Sequence, residues 1–298
     1  MRHVTTLKVA NSGIVLLGVT LSWLAGCAPG GARYPRDDLL GLEDVQAKGT
    51  HNSYHVAPDD PVDDSHRYTH APLGVQLAEQ GVRQFELDVH LRAGEGFEVF
   101  HLPAGIDEES TCRRLVDCLA AIKDWSDVHP AHVPIVIWLE PKDEDLDWVD
   151  ETLLPIEGRY GELEAAILSV WPAGRILQPD EVRGGHATLP EAIAAGGWPR
   201  LGALRGRVVF ALLDSGTHRE AYTRDAPALQ GKLLFVDASE PADPYAAMFK
   251  IDDAGADGDC IRGLVESGFV VTCNADGAGA TDRDNQALGT YSLALGNG

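Results

Sequence analysis

The chain of 298 residues reads as an α/β protein whose parallel sheet is covered by helices. Three observations lead to that class. Runs rich in β-branched residues alternate with helix-like runs over most of the length. One of them, Pro134-Ile-Val-Ile-Trp-Leu-Glu140, is continuously apolar, as a strand buried on both faces of a parallel sheet must be. Acids, amides and histidines gather at the ends of successive strand-like runs, where a site in such a sheet is built. Hydrophobic residues at 44% and charged residues at 23% leave ample material for one large core.

The first segment is a targeting segment. Arg2 and Lys8 precede an apolar run, Ile14 to Leu24, which is too short to span a membrane and suits a signal-peptide core. It ends in Leu24-Ala25-Gly26-Cys27, which resembles the lipobox of bacterial lipoproteins. That resemblance implies cleavage before Cys27, acylation of its thiol and new amine, and an extracytoplasmic, membrane-anchored protein. The alternative is an ordinary secretory signal and a secreted protein. The expected organisation is therefore a signal peptide over 1–26, a flexible Pro/Gly tether over 27–40 and a barrel domain over 41–298.

Beyond the tether, strands are expected at 45–48, 84–90, 134–140, 207–212, 233–237, 247–251 and 269–274. Helices are expected at 73–81, 112–128, 162–171, 190–195, 260–267 and 283–295. In the second of these, Leu115, Leu119, Ile122 and Trp125 recur at spacings of three and four. A (β/α)8 barrel needs one strand more than these seven. Either one strand is unread, or the barrel lacks its last strand because the chain ends at Gly298.

Lys and Arg number 24 against 46 Asp and Glu, a formal charge of -22. That argues against nucleic acid as a partner, and against adsorption to anionic membranes through a basic patch. Cys112, Cys118, Cys260 and Cys273 form an even set in an exported chain. The economical pairing is Cys112–Cys118 and Cys260–Cys273. A zinc site is the rival, but the set lacks C-x-x-C spacing.

The polar residues follow the strands. Lys48-Gly-Thr-His51-Asn52-Ser-Tyr-His55 comes after the first. Glu86, Asp88 and His90 alternate along the second and therefore share one face. Carboxylates facing a barrel interior require a cation or a hydrogen-bond network. His101 closes the short extended piece Glu98-Val-Phe-His101 after that strand, and Glu140 ends the apolar strand, with Lys142 two residues on. Asn52, Glu86, Asp88 and Glu140 offer oxygen alone, which suits Ca2+, or less well Mg2+, rather than zinc. His51 and His101 are left for acid–base work. His55 gains no role from spacing and reads as structural.

The order His-Asn, Glu-x-Asp, a further His and a strand-final Glu resembles the catalytic half of Ca2+-dependent phosphoinositide-specific phospholipases C. Gly49-Thr-His-Asn-Ser-Tyr-His55, Cys112-Arg-Arg-Leu-Val-Asp-Cys118 and Pro134–Glu140 are similar to the secreted bacterial branch. The resemblance implies a TIM-type barrel of the PLC-like phosphodiesterases. It also implies one Ca2+ held by Asn52, Glu86, Asp88 and Glu140, and His51 and His101 as acid–base pair. Lys142 would contact the phosphate or headgroup of a phospholipid at a membrane surface. Products would be diacylglycerol and inositol 1,2-cyclic phosphate. Where the branch carries arginines in a pattern like R-T-R-A-D, this chain has Thr272-Cys-Asn-Ala-Asp276, so a cation is lacking there. Two other readings stand beside this one. A glycerophosphodiester phosphodiesterase would share the barrel but open with His-Arg-Gly, and a non-catalytic surface lipoprotein would keep only the fold.

Overall fold

The computed structural model describes residues 34–143, 152–214, 216–274 and the short strand Leu295–Gly296. The signal segment, Cys27 and most of the helix expected over 283–295 lie outside the described residues.

The elements follow in chain order. β1 (Lys48–Thr50), α1 (Leu73–Glu79), β2 (Val82–Arg92) and β3 (Gly96–Val99) come first. Next are α2 (Leu115–Val128), β4 (Ile135–Pro141), β5 (Leu153–Leu154), α3 (Tyr160–Val170) and β6 (Ile176–Leu177). The short helices α4 (Pro179–Arg183), α5 (Leu189–Ala194) and α6 (Leu201–Leu204) precede β7 (Val208–Leu212). Then come α7 (Thr217–Thr223), β8 (Phe235–Val236), β9 (Met248–Asp253), α8 (Gly258–Glu266), β10 (Val270–Asn274) and β11 (Leu295–Gly296).

The sheet runs β1–β2–β4–β7–β8, every pairing parallel. A parallel bridge from Asp237 to Met248 carries it on to β9, which pairs β10. β11 lies against β10 and pairs β1 in parallel, Gly49 opposite Leu295 and Thr50 opposite Gly296. The eighth strand position is thus filled by Leu295, which the sequence pattern assigned to the end of a helix, and Gly296. Side chains from strands remote in this order meet inside. Trp138 Nε1 (β4) and Thr272 Oγ1 (β10) both donate to Gln84 Oε1 (β2), at 3.0 and 3.2 Å. Such an interior belongs to a TIM-type (β/α)8 arrangement. β3 and β5 add antiparallel to the long end of β2, and β6 adds parallel to β7.

Two expectations are corrected. The tether over 27–40 does not hold for residues 34–40. Asp37 accepts two bonds from Arg205, at 2.7 and 2.8 Å, and that guanidinium lies 3.6 Å over the Tyr34 ring. Leu201 N also donates to Leu40 O at 2.7 Å, so this stretch is fastened to α6. Cys112 and Cys118 are joined, but Cys260 and Cys273 are not. α8 buries Gly258, Ile261 and Leu264, a spacing that turns Cys260 to solvent, while Cys273 is wholly buried in β10. Helix and strand thereby hold the two thiols apart.

Candidate active site and metal centre

The turn after β1 has no strand to hold it and is stapled by side chains. Thr50 Oγ1 donates to Gln76 Oε1 of α1 at 2.8 Å, and Gln76 Nε2 donates to Ser53 O at 2.7 Å. Glu86 N donates to Ser53 Oγ, and Ser53 N to Glu86 O, both at 2.9 Å, which locks the turn to β2. His70 Nε2 reaches His51 O at 2.8 Å. Inside this frame Asn52 takes a left-handed backbone (φ 43), a conformation asparagine tolerates better than most residues.

Asn52 is buried, and among the described residues its Oδ1 has no hydrogen-bond partner. The same is true of both carboxylate oxygens of Glu86 and of Asp88, two fully buried residues of β2. Period two puts both on the interior face, and β4 brings Glu140 directly opposite Asp88. Ligand oxygens of Glu86, Asp88 and Glu140 lie within 4.8 Å of one another. Burial, opposed by Lys142 but reinforced by Glu140 and Glu86, pushes the Asp88 carboxyl well above its ordinary value. Buried acceptors without donors are costly unless a cation satisfies them. An oxygen-only set of this kind fits a hard divalent ion.

Two lysines flank the carboxylates. Lys142 Nζ is 2.5 Å from Glu140 Oε1 and 3.3 Å from Asp88 Oδ2. Burial works against its charge, but those two acids hold it above the ordinary lysine value. Lys250, on β9, lies 3.1 Å from Asp252 and 3.9 Å from Glu86, and those acids raise it against the same burial. Sequence reasoning missed Lys250. One lysine in a short strand reads as an exposed edge residue, and only the barrel turns it inward. It supplies a cation beside β10, where the Thr272 stretch lacks one.

His51 Nε2 is 3.3 Å from Glu86 Oε1, with its side chain 36% exposed. His101 Nδ1 lies 2.8 Å from Asp107 Oδ2, so a neutral ring donates from Nδ1 and keeps Nε2 for exchange. Burial lowers the His101 pKa, which Asp107 opposes and Lys142 reinforces. Asp107 was also missed. It lies in the aperiodic loop Leu102–Thr111, and the only signal is an acid six residues after a candidate histidine. His55, read as structural, packs against that same Asp107 at 2.9 Å. His90 shares the face of Asp88 but is turned away from chemistry. Its Nε2 donates to Phe100 O at 3.0 Å, its ring stacks on Phe100, and burial lowers its pKa to about 4.

A parallel barrel with an oxygen cluster, two ammonium groups and two imidazoles at the strand ends defines a metal-dependent phosphodiester hydrolase. Residues 91–297 match the family described as phosphoinositide phospholipase C, Ca2+-dependent. The chain belongs to that family and is an enzyme of phospholipase C type. The matched span includes His101, Glu140 and Lys142 and begins after His51, Asn52, Glu86 and Asp88. Among solved structures the chain is similar to a calcium-dependent phosphoinositol-specific phospholipase C from a Pseudomonas species. The identity is 18% and the TM-score 0.59, over 80% of this chain and 85% of that one. It is also similar to a Ca2+-dependent phosphatidylinositol-specific phospholipase C from Streptomyces antibioticus, with 21% identity and a TM-score of 0.55, over 78% and 82%. At these identities the likeness shows the fold. Comparison with curated proteins returned no match.

Proposed function

We propose that this enzyme cleaves the phosphodiester of phosphatidylinositol, or a closely related phospholipid, to diacylglycerol and inositol 1,2-cyclic phosphate. One observation carries the reading: the buried oxygens of Asn52, Glu86 and Asp88, which make no hydrogen bond among the described residues, beside His51. Asn52, Glu86, Asp88 and Glu140 would hold one ion, Ca2+ rather than Mg2+, since Ca2+ tolerates irregular sets of about 6–8 oxygens. When bound, that ion supplies Lewis-acid polarisation of a phosphoryl oxygen, a lowered pKa for the attacking 2-hydroxyl and a reversal of the pocket's negative charge.

The chain's own residues do the rest. Lys142 and Lys250 would orient the phosphate or the headgroup by charge. His51 would take the proton of the inositol 2-hydroxyl or donate to the phosphate, as its tautomer dictates. His101, steadied through Nδ1 by Asp107, would protonate the diacylglycerol oxygen from Nε2 as the phosphorus–oxygen bond breaks. The new bond joins the 2-oxygen to phosphorus, and one proton passes from the inositol hydroxyl to the leaving alcohol. The asparagine at position 52, in place of the arginine of a His-Arg-Gly opening, favours this over a glycerophosphodiester substrate.

Release of water-soluble inositol phosphate from labelled phosphatidylinositol, with Ca2+ and with excess chelator, tests the proposal. Activity is expected only with Ca2+, and to fall by about 10²–10⁴ in His101→Ala. Full turnover in chelator, or glycerol 3-phosphate released from glycerophosphodiesters instead, would overturn it. The signal segment 1–26 and acylation at Cys27 place the domain outside the cytoplasm in this proposal. Mass spectrometry of the mature N-terminus distinguishes an acylated Cys27 from a plain secretory cleavage. Among the described residues no helix is long and apolar enough to cross a membrane.

A further inference from the structure

A second polar centre surrounds Asp107, and the reaction above uses only its contact with His101. Asp107 is wholly buried, and three imidazoles converge on its carboxylate. His55 Nε2 lies 2.9 Å from Oδ1, His101 Nδ1 2.8 Å from Oδ2, and His66 Nδ1 3.3 Å from Oδ2. The rings come from two loops: His55 and His66 from the one after β1, His101 from the one after β3 that also carries Asp107. His55, His101 and Asp107 each offer a ligand atom within 4.8 Å of the other two.

Neutral imidazoles account poorly for this arrangement. His55 Nδ1 sits 2.9 Å from Tyr68 O, so both nitrogens of that ring face oxygen acceptors. A neutral imidazole has a single N–H to give. Given to Tyr68, it leaves Nε2 presenting a lone pair to the carboxylate. His66 Nδ1 is buried beside the same carboxylate and makes no hydrogen bond among the described residues. Lone pairs and a carboxylate facing a common point are what a metal ion resolves. The Tyr68 contact is the outer hydrogen bond that fixes a ligating tautomer.

We propose that His55 Nε2, His66 Nδ1, His101 Nδ1 and the Asp107 carboxylate form a second metal site, for a Zn2+-type ion, whose occupation inhibits the enzyme. The donor set is three nitrogens and one oxygen, which suits a borderline transition ion and not Ca2+. Bonds of about 2.0–2.1 Å set tetrahedral ligand–ligand edges at roughly 3.3–3.4 Å. The nitrogen-to-carboxylate separations of 2.8 to 3.3 Å are close to those edges, and His66, outside the three-residue group within 4.8 Å, has to swing inward in its loop to complete the set. His66 and His101 keep 12% and 22% of their side chains exposed, so the ion has a way in. Inhibition follows because a metal on His101 Nδ1 confines the remaining proton to Nε2, and the ring then no longer takes up and releases protons. That clause rests on the acid–base role proposed for His101; the metal site itself does not.

The test titrates Co2+ into the full-length enzyme at saturating Ca2+ and follows the visible absorption of a four-coordinate, nitrogen-bearing site. The expected result is one such ion per chain, displaced by Zn2+, with Zn2+ inhibiting over the same concentration range. His66→Ala should weaken binding at least about tenfold and leave the Zn2+-free activity unchanged. Absence of the Co2+ absorption in the wild-type protein overturns the proposal without recourse to any variant, and so does an absorption that His66→Ala leaves untouched. Inhibition by Zn2+ without the absorption would mean competition at the oxygen cluster and would also overturn it. Absorption without inhibition would uphold the site and overturn the acid–base role of His101.

Discussion

The oxygen cluster on β2 and β4 and the imidazole cluster around Asp107 lie at the same end of the barrel and are built in opposite ways. Glu86, Asp88 and Glu140 ride on hydrogen-bonded strands in fixed register, and Glu86, Asp88 and Asn52 present buried oxygens that make no hydrogen bond among the described residues. His55, His66, His101 and Asp107 come from loops, and three rings converge on one carboxylate. The first cluster is strained until a cation arrives, so its cost is paid by the fold. In the second, Asp107 holds His101, the ring proposed for acid–base work, at one tautomer. Rigid strands hold the charge, and loops hold the protons.

The contrast is broken most sharply at Asp88. Asp88→Asn removes one of the crowded buried charges, so in chelator the variant should melt higher than the wild type. Activity should nevertheless fall by about 10³, in line with loss of a cation clamp on developing charge. Calorimetry with and without Ca2+ checks both halves: Ca2+ should raise the melting temperature of the wild type and barely move that of the variant. A variant that loses stability in chelator would mean that the carboxylates are held by something other than a missing cation.

A smaller effect is expected at Lys250, which touches the cluster from the opposite wall at 3.9 Å. Lys250→Met keeps much of the stem and removes the charge. It should raise KM about tenfold with a lesser change in kcat, the pattern of a group that binds substrate and transition state alike. Steady-state kinetics on mixed vesicles measures that split, and a kcat effect alone would remove Lys250 from substrate binding.

The smallest effect concerns buried histidines outside both clusters. Burial lowers His90 and His132 from 6.5 to about 4. Their neutral forms are favoured by the fold, so this contribution is complete above about pH 6.5 and is lost as pH falls toward 4. Each ring accounts for up to about 3 kcal/mol across that window. Asp237, raised by burial to about 6, works with the opposite sign and offsets part of the loss. Urea unfolding at pH 7 and pH 5 should therefore fall less steeply with acid in His90→Gln than in the wild type.

How far the sequence carried differs between the two clusters for the same reason. Glu86 and Asp88 were legible because a strand has period two, and Glu140 because an apolar run ends on it. Asp107 and Lys250 were not. A loop has no period to read, and a lone lysine in a six-residue strand gives no sign of which way it faces until β2 stands opposite. The pairing of Cys260 with Cys273 failed because it was argued from count and spacing. Burial of Ile261 and Leu264 turns the neighbouring thiol outward, and nothing in a count of cysteines contains that. The strand at Leu295–Gly296 escaped because two residues are too few to display any pattern, and its identity comes from its neighbour β1.

Gln76 carries a consequence of its own. A residue of α1 with no titratable group, it holds Thr50, Ser53 and the carbonyl of Ala71 at once, while Ser53 grips β2. Helix α1 therefore serves as a strut beneath the turn that presents His51 and Asn52. Loosening that strut would be felt as a drop in cation affinity before any loss of fold. In any effort to reshape this enzyme, the outer face of α1 is open to redesign, and position 76 shapes the proposed metal site from outside its ligand set.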